Sequence, residues 1–215
     1  MTILSKNDQK GRSMVEMLGV LAIIGVLSVG GISGYSKAMA KFKLTKAQDQ
    51  ISMLLMNIRT AFATSPSYEG LNNTTAVSFA IAPGDMYSGD LAAISNVHHL
   101  NNAFGGEAHV FSCDTEPASN GEMAELSCAG IVEDNSSQFF AVAMSGLGRE
   151  ACVSLLSSDW GTDGLVSVQV ATSDGDTEKT GDGAFAAADL PIGMIDAGDA
   201  CGGYGITSTI VWTYY

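Results

Sequence analysis

The sequence predicts an α+β protein: one very long N-terminal helix followed by a head of antiparallel strands with a disulfide-closed C-terminal region. Three observations carry this. From Met17 to Ser36 there is no charged residue, and the run passes into a stretch with apolar residues at threes and fours that ends at Ser65-Pro66. Downstream, LVSVQVAT (Leu165 to Thr172) and TSTIVWTY (Thr207 to Tyr214) alternate with the period of a strand. All four cysteines lie in the second half.

The helix comes first. Residues 1–10 read as a polar leader, and the helix begins near Ser13. Twenty uncharged residues make about 30 Å of helix, roughly one hydrocarbon thickness, which sets a membrane-spanning part at about residues 14–36. Gly19, Gly25, Gly30, Gly31 and Gly34 interrupt it. Each glycine costs a helix interior roughly 0.5–1 kcal/mol against alanine, so the segment around 25–34 is a weak point. Small residues also allow close helix–helix approach in a bilayer.

From about residue 37 to 64 the character is amphipathic. Phe42, Leu44, Ala47, Ile51, Leu54, Leu55, Ile58 and Phe62 form a stripe, with Lys41, Lys46, Gln48, Asn57 and Arg59 between them. Proline at position 66 ends the helix. From Ser13 to Thr64 a helix measures about 78 Å, too long for one small domain to bury. Its first half needs lipid or other copies of itself.

Charge divides the chain as sharply. Residues 1–64 carry eight basic and three acidic side chains, whereas residues 65–215 carry two basic and twenty acidic, a net of −18. Such a head repels phosphate backbones, which excludes nucleic-acid binding by the head. An acidic solvated surface is the plain reading. Contact with the Lys37, Lys41, Lys43 and Lys46 cluster of neighbouring copies is the sharper one.

Residues 66–105 read as a loop-rich connector, with a short helix at Ile94 to Leu100 carrying His98 and His99. Adjacent histidines point to different sides and chelate poorly, and His109 reads as a sheet residue. Strands are expected at Ala108–Phe111, Ser137–Ala143, Leu165–Thr172 and Thr207–Tyr214, with a short helix at Gly148–Ser157 and a polar turn over 173–183. Within that turn Asp174, Asp176 and Glu178 alternate as calcium ligands might, although the flanking glycines suit a plain turn and the EF-hand's terminal glutamate is missing. No HExxH, P-loop, GxSxG or zinc-knuckle spacing occurs, and no cofactor is expected.

An ordinary secretory signal is cut after its apolar core. Here the natural cut lies before the core, after Gly11, with Glu16 five residues on, counting from Arg12. Over roughly Lys10 to Phe62 this arrangement resembles the class III leader and N-terminal helix of type IV prepilins and related pseudopilins. The resemblance implies a leader of residues 1–11 removed by a prepilin peptidase, a methylated Arg12, an N-terminal helix over 12–65 and a globular head over 66–215. It also implies that Glu16 pairs with the free amino group of Arg12 on an adjacent subunit and so sets axial register. Two features depart from the family's pattern: Arg12 stands where an apolar residue is usual, and the leader is short for the type IVb branch.

Cys113, Cys128, Cys152 and Cys201 permit three pairings. Pairing Cys113 with Cys128 closes a polar excursion, and pairing Cys152 with Cys201 ties the short helix to the segment before the last strand. The second loop resembles the D-region of type IV pilins and, in its width, the type IVb members. Disulfides place the head in the periplasm or outside the cell, with the amino terminus cytoplasmic. The implied function is a structural pilus subunit, not an enzyme. It is held in the inner membrane as a precursor and polymerised with itself into an extracellular filament for adhesion, aggregation or conjugative contact. An assembly platform and an ATPase are partners implied by the family. A minor pilin or a type II secretion pseudopilin is the nearest alternative; pseudopilins bind calcium in the head, which keeps Asp174, Asp176 and Glu178 under consideration. A signal-anchored periplasmic enzyme or receptor domain is the distant one.

Overall fold

The computed structural model describes residues 14–87, 99–114, 128, 133–161, 163–173, 181–202 and 207–215. Leader residues 1–11, Arg12, His98 and the acidic trio Asp174, Asp176 and Glu178 lie outside them. The chain divides into two compact units, Met1–Phe42 and Lys43–Tyr215, so the division falls within the first helix.

That helix, α1 (Met14–Ala61), is unbroken through all five of its glycines. No side chain or backbone crowds the place where a Cβ would stand on any of them. It stops three residues short of the expected Thr64, and 62–64 form a turn leading to Ser65-Pro66. Helix α2 (Asn73–Ser78) follows within the expected connector. Its N-cap is Asn72, whose Oδ1 accepts the Thr75 N–H at 2.9 Å, satisfying one of the first-turn donors.

The remaining elements are β1 (Leu100–Asn101), β2 (Glu107–Ser112), β3 (Phe140–Gly148), α3 (Arg149–Leu156), β4 (Leu165–Ser173), β5 (Gly181–Ala186), α4 (Met194–Ala200) and β6 (Thr207–Tyr214). The strands form one antiparallel sheet in the order β1-β2-β3-β6-β4-β5. The fold is therefore α+β, a long helix packed on an antiparallel sheet.

Three expectations are corrected. Leu100 opens a two-residue strand instead of closing a helix. Ser137 and Gln138 belong to a 3-10 segment (Glu133–Gln138), and β3 starts at Phe140. The polar stretch 173–183 is not wholly a turn: Ser173 ends β4 and Gly181–Gly183 open β5. Among the described residues β5 is an edge strand paired only with β4. Pairing there rests on backbone hydrogen bonds from one side, and apolar alternation is not required of it.

The last strand occupies the middle of the sheet, between β3 and β4. Its alternate residues explain the two faces. Trp212 lies between Val142 and Val168, Ile210 between Met144 and Val170, and Tyr214 between Phe140 and Leu165. These share one buried cluster with Ala47, Ile51, Leu54 and Ile58 of α1, all fully buried. On the opposite face Ala141, Ala143, Ala171, Val211 and Phe111 form a second, smaller cluster beside Cys113 and Cys128. Apart from Phe111, the residues facing away are alanines and a valine, whereas Trp212, Tyr214, Phe140 and Met144 face the helix, so the period-two pattern fixes which side the helix covers. Where β3 bulges between Met144 and Leu147, Gly146 takes φ 69°, a left-handed conformation that costs glycine nothing.

Candidate functional site

The two parts of α1 have different surroundings. Within residues 14–42, large apolar side chains are exposed on every side, from 48% at Met17 to 82% at Met14, with Leu18, Leu21, Ile23, Val26, Leu27, Val29 and Ile32 all above 60%. By length and composition this helix can cross a membrane. Burying a Val, Leu or Ile fully is worth about 1.5–3 kcal/mol, so the ten of them exposed here would in water be an unfavourable arrangement of tens of kcal/mol. Polar groups inside the run are handled locally. Ser28 Oγ donates to the Ile24 carbonyl at 2.7 Å and Ser36 Oγ to the Ile32 carbonyl at 3.0 Å. Glu16 sits in the first turn of α1 and is exposed, a position favoured by the partial positive charge of a helix N-terminus.

Residues 43–61 are anchored to the sheet by a polar border as well as by the apolar stripe. Gln50 is almost fully buried. Its Oε1 accepts the Ala103 N–H at 3.1 Å and its Nε2 donates to Asp85 Oδ2 at 3.1 Å. Lys46 Nζ meets the same carboxylate oxygen at 3.0 Å. Burial opposes ionisation of Asp85, yet the hydrogen bonds from Lys46 and Gln50 and the charge of Lys46 outweigh it and hold the carboxyl below its ordinary value. Asn57 donates to the Ile81 carbonyl at 2.8 Å, and Arg59 to the Asp163 carbonyl at 2.8 Å. Phe42, expected in the stripe, is 62% exposed; the first fully buried position on this face is Ala47.

The structure joins Cys113 to Cys128 and Cys152 to Cys201, with Cα separations of 5.7 and 5.9 Å. Cys152 on α3 and Cys201 at the end of α4 are fully buried, so the second bond pins both helices to the main core. Among the described residues no group of three or more His, Cys, Asp or Glu is placed to hold a metal ion.

Two polar devices escaped the sequence reading. One is Gln50, a polar residue beside the apolar stripe whose burial no periodicity announces. The other joins Asn73, His109, Glu107 and His99. His109 Nε2 lies 3.3 Å from Glu107 Oε2, and His99 Nδ1 lies 2.9 Å from Glu107 Oε1. The alternating E-x-H spacing of Glu107 and His109 puts both on one face of β2, the one signal that was available.

No family model matches the chain. The toxin coregulated pilin of Vibrio cholerae is 26% identical over 155 residues, 71% of this chain and 59% of that pilin. The major structural subunit of the bundle-forming pilus of Escherichia coli is 24% identical over 160 residues, 74% of this chain and 70% of that subunit. The alignment thus spans about three fifths of the length of the Vibrio pilin. A crystal structure of TcpA, a type IV pilin of Vibrio cholerae El Tor biotype, aligns at a TM-score of 0.49 with 14% identity, covering 80% of this chain and 99% of that one.

Proposed function

We propose that this chain, a homologue of the type IV pilins, is the structural subunit of a type IV pilus and has no enzymatic role. The observation that carries the reading is α1, whose charge-free residues 17–36 leave their side chains exposed while residues 47–58 cover a sheet. A membrane covers that surface in the precursor and neighbouring helices cover it in the fibre.

The precursor is held in the inner membrane with its head in the periplasm. Prepilin peptidase cuts after Gly11, leaving Arg12 as the methylated first residue of a helix–head subunit. Glu16 then pairs with the amino group of Arg12 on an adjacent subunit. In an apolar surrounding, removing one member of such a pair costs typically 3–5 kcal/mol, enough to block addition of a subunit. Platform protein and ATPase are the partners this assembly route requires. Two disulfides suit the extracellular destination.

Mass spectrometry of the mature amino terminus tests the reading. A peptide beginning with methyl-Arg12 is expected. A chain that retains its leader, or is cut elsewhere, overturns it in favour of a signal-anchored periplasmic domain. Electron microscopy of sheared surface material then separates a major subunit, which gives long filaments, from a minor pilin or secretion pseudopilin, which does not.

A further inference from the structure

We propose that Asn73, His109, Glu107 and His99 form a proton-sensitive clamp that holds the N-terminal end of α2 against the open edge of β2 while His109 is neutral. The edge needs holding because, among the described residues, β1 pairs only with Glu107 and Ala108. Beyond them the outward donors of β2 find non-strand partners: Val110 N–H donates to Asn73 Oδ1 at 2.9 Å, and Ser112 N–H to the Leu71 carbonyl at 3.0 Å. Leu71 and Asn73 thus stand in for a neighbouring strand.

The amide of Asn73 has one permitted orientation. Its oxygen receives Val110 N–H, and its Nδ2 donates to the Ala108 carbonyl at 3.3 Å. A flip would set donor against donor and acceptor against acceptor. Nδ2 therefore faces His109 Nδ1, 3.4 Å away, as a donor, and that ring nitrogen must be the bare acceptor. The proton of the neutral imidazole is then on Nε2, directed at Glu107 Oε2. His109 is 8% exposed, so water cannot readily replace these partners.

Adding a second proton puts an N–H on Nδ1, opposite the Asn73 amide N–H, and the clamp loses its link between helix and strand. Among the described residues, charged and titratable groups around the ring are few. Glu107 favours the imidazolium, His99 opposes it when charged, and α2, β1 and β3 contain no titratable residue among those packed about it. Burial dominates and holds His109 below its ordinary value. Because the folded value lies below the unfolded one, clamp stability is complete above about pH 6.5 and declines as pH falls toward the folded value.

The test uses the full chain in detergent micelles, labelled with 15N-histidine; three histidines keep the spectrum simple. At pH 7 His109 should be the Nε2–H tautomer, with a titration midpoint below 6.5. Protection of the Ala76 and Val77 amides, corrected for intrinsic exchange, should drop between pH 7 and 5 by up to about tenfold for each unit by which the midpoint is depressed. His109→Gln should remove that dependence, and His99→Gln should keep it while moving the His109 midpoint upward. An Nδ1–H tautomer, a midpoint at or above 6.5, or unchanged pH dependence in His109→Gln overturns the proposal. If His109→Gln does not fold, Glu107→Gln decides: the midpoint of His109 should move further down, and a rise or no change refutes the clamp.

Discussion

The guanidinium carbon of Arg59 lies 5.6 Å from the centroid of the Tyr214 ring, joining the last turn of α1 to the last residue of the central strand. Arg59 also donates to the Asp163 carbonyl, just ahead of β4. A cation over an aromatic face contributes about 0.5–2 kcal/mol and the hydrogen bond about 1 kcal/mol more. Arg59→Ala should therefore lower stability by about 1–3 kcal/mol in thermal or denaturant unfolding of the detergent-solubilised chain. Arg59→Lys should recover only part, since a lysine lacks the planar fork.

Tyr214 itself gives a prediction of opposite sign. Its hydroxyl is buried and, among the described residues, has no hydrogen-bond partner. Burial also pushes its ionisation far above the ordinary tyrosine value. Tyr214→Phe removes an unsatisfied polar atom while keeping the ring beneath Arg59. Unfolding midpoints should be unchanged or raised by up to about 1 kcal/mol equivalent. A clear loss would mean the hydroxyl is satisfied in solution.

The two disulfides should differ in worth. They close loops of 15 and 49 residues, and chain entropy assigns about 3 and about 4 kcal/mol respectively. Replacing Cys152 and Cys201 by alanine should destabilise more than replacing Cys113 and Cys128, and the former also leaves buried sites poorly filled. Equal losses measured by denaturant unfolding would contradict the ordering.

Asp85 should make stability depend on acid. Its carboxyl ionises below the ordinary value of 3.8, so its contribution is complete above that pH and is lost as pH falls through the folded value. Asp85→Asn should flatten that part of the stability curve below about pH 4. A half-exposed pair with Lys46 contributes modestly, and the measurement is the difference between the two acid titrations.

Glu16→Ala should express and insert in the membrane as the parent does, yet give no fibres by electron microscopy. Glu16→Asp, with a shorter reach, should assemble poorly. Normal filaments from Glu16→Ala would remove the carboxylate from any part in subunit addition.

Much of the head was readable where burial follows a period. The range Thr207–Tyr214 is legible to the residue, because Ile210, Trp212 and Tyr214 fall on one face of the strand and Thr209, Val211 and Thr213 on the other, a period-two pattern. The elements passed over were short or at an edge: α2, α4, β1 and β5. Each is held by neighbours instead of by its own sequence. α2 depends on Asn72 and Asn73, whose side chains read in sequence only as turn formers. Gln50 shows the same blindness: a glutamine between apolar positions reads as solvent-facing until Ala103 and Asp85 are brought beside it.

The sequence by itself determined the helix, its charge-free first half, the alternating strands and the division of charge between N-terminal segment and head. These are local properties, repeated along the chain, and each residue's contribution is independent of distant ones. Only the tertiary structure decided the strand order, the partners of Gln50, and the placing of Asn73 beside the His109 ring. Those depend on donors and acceptors far apart in sequence meeting where water is excluded, and there a single misplaced proton costs as much as a lost hydrogen bond.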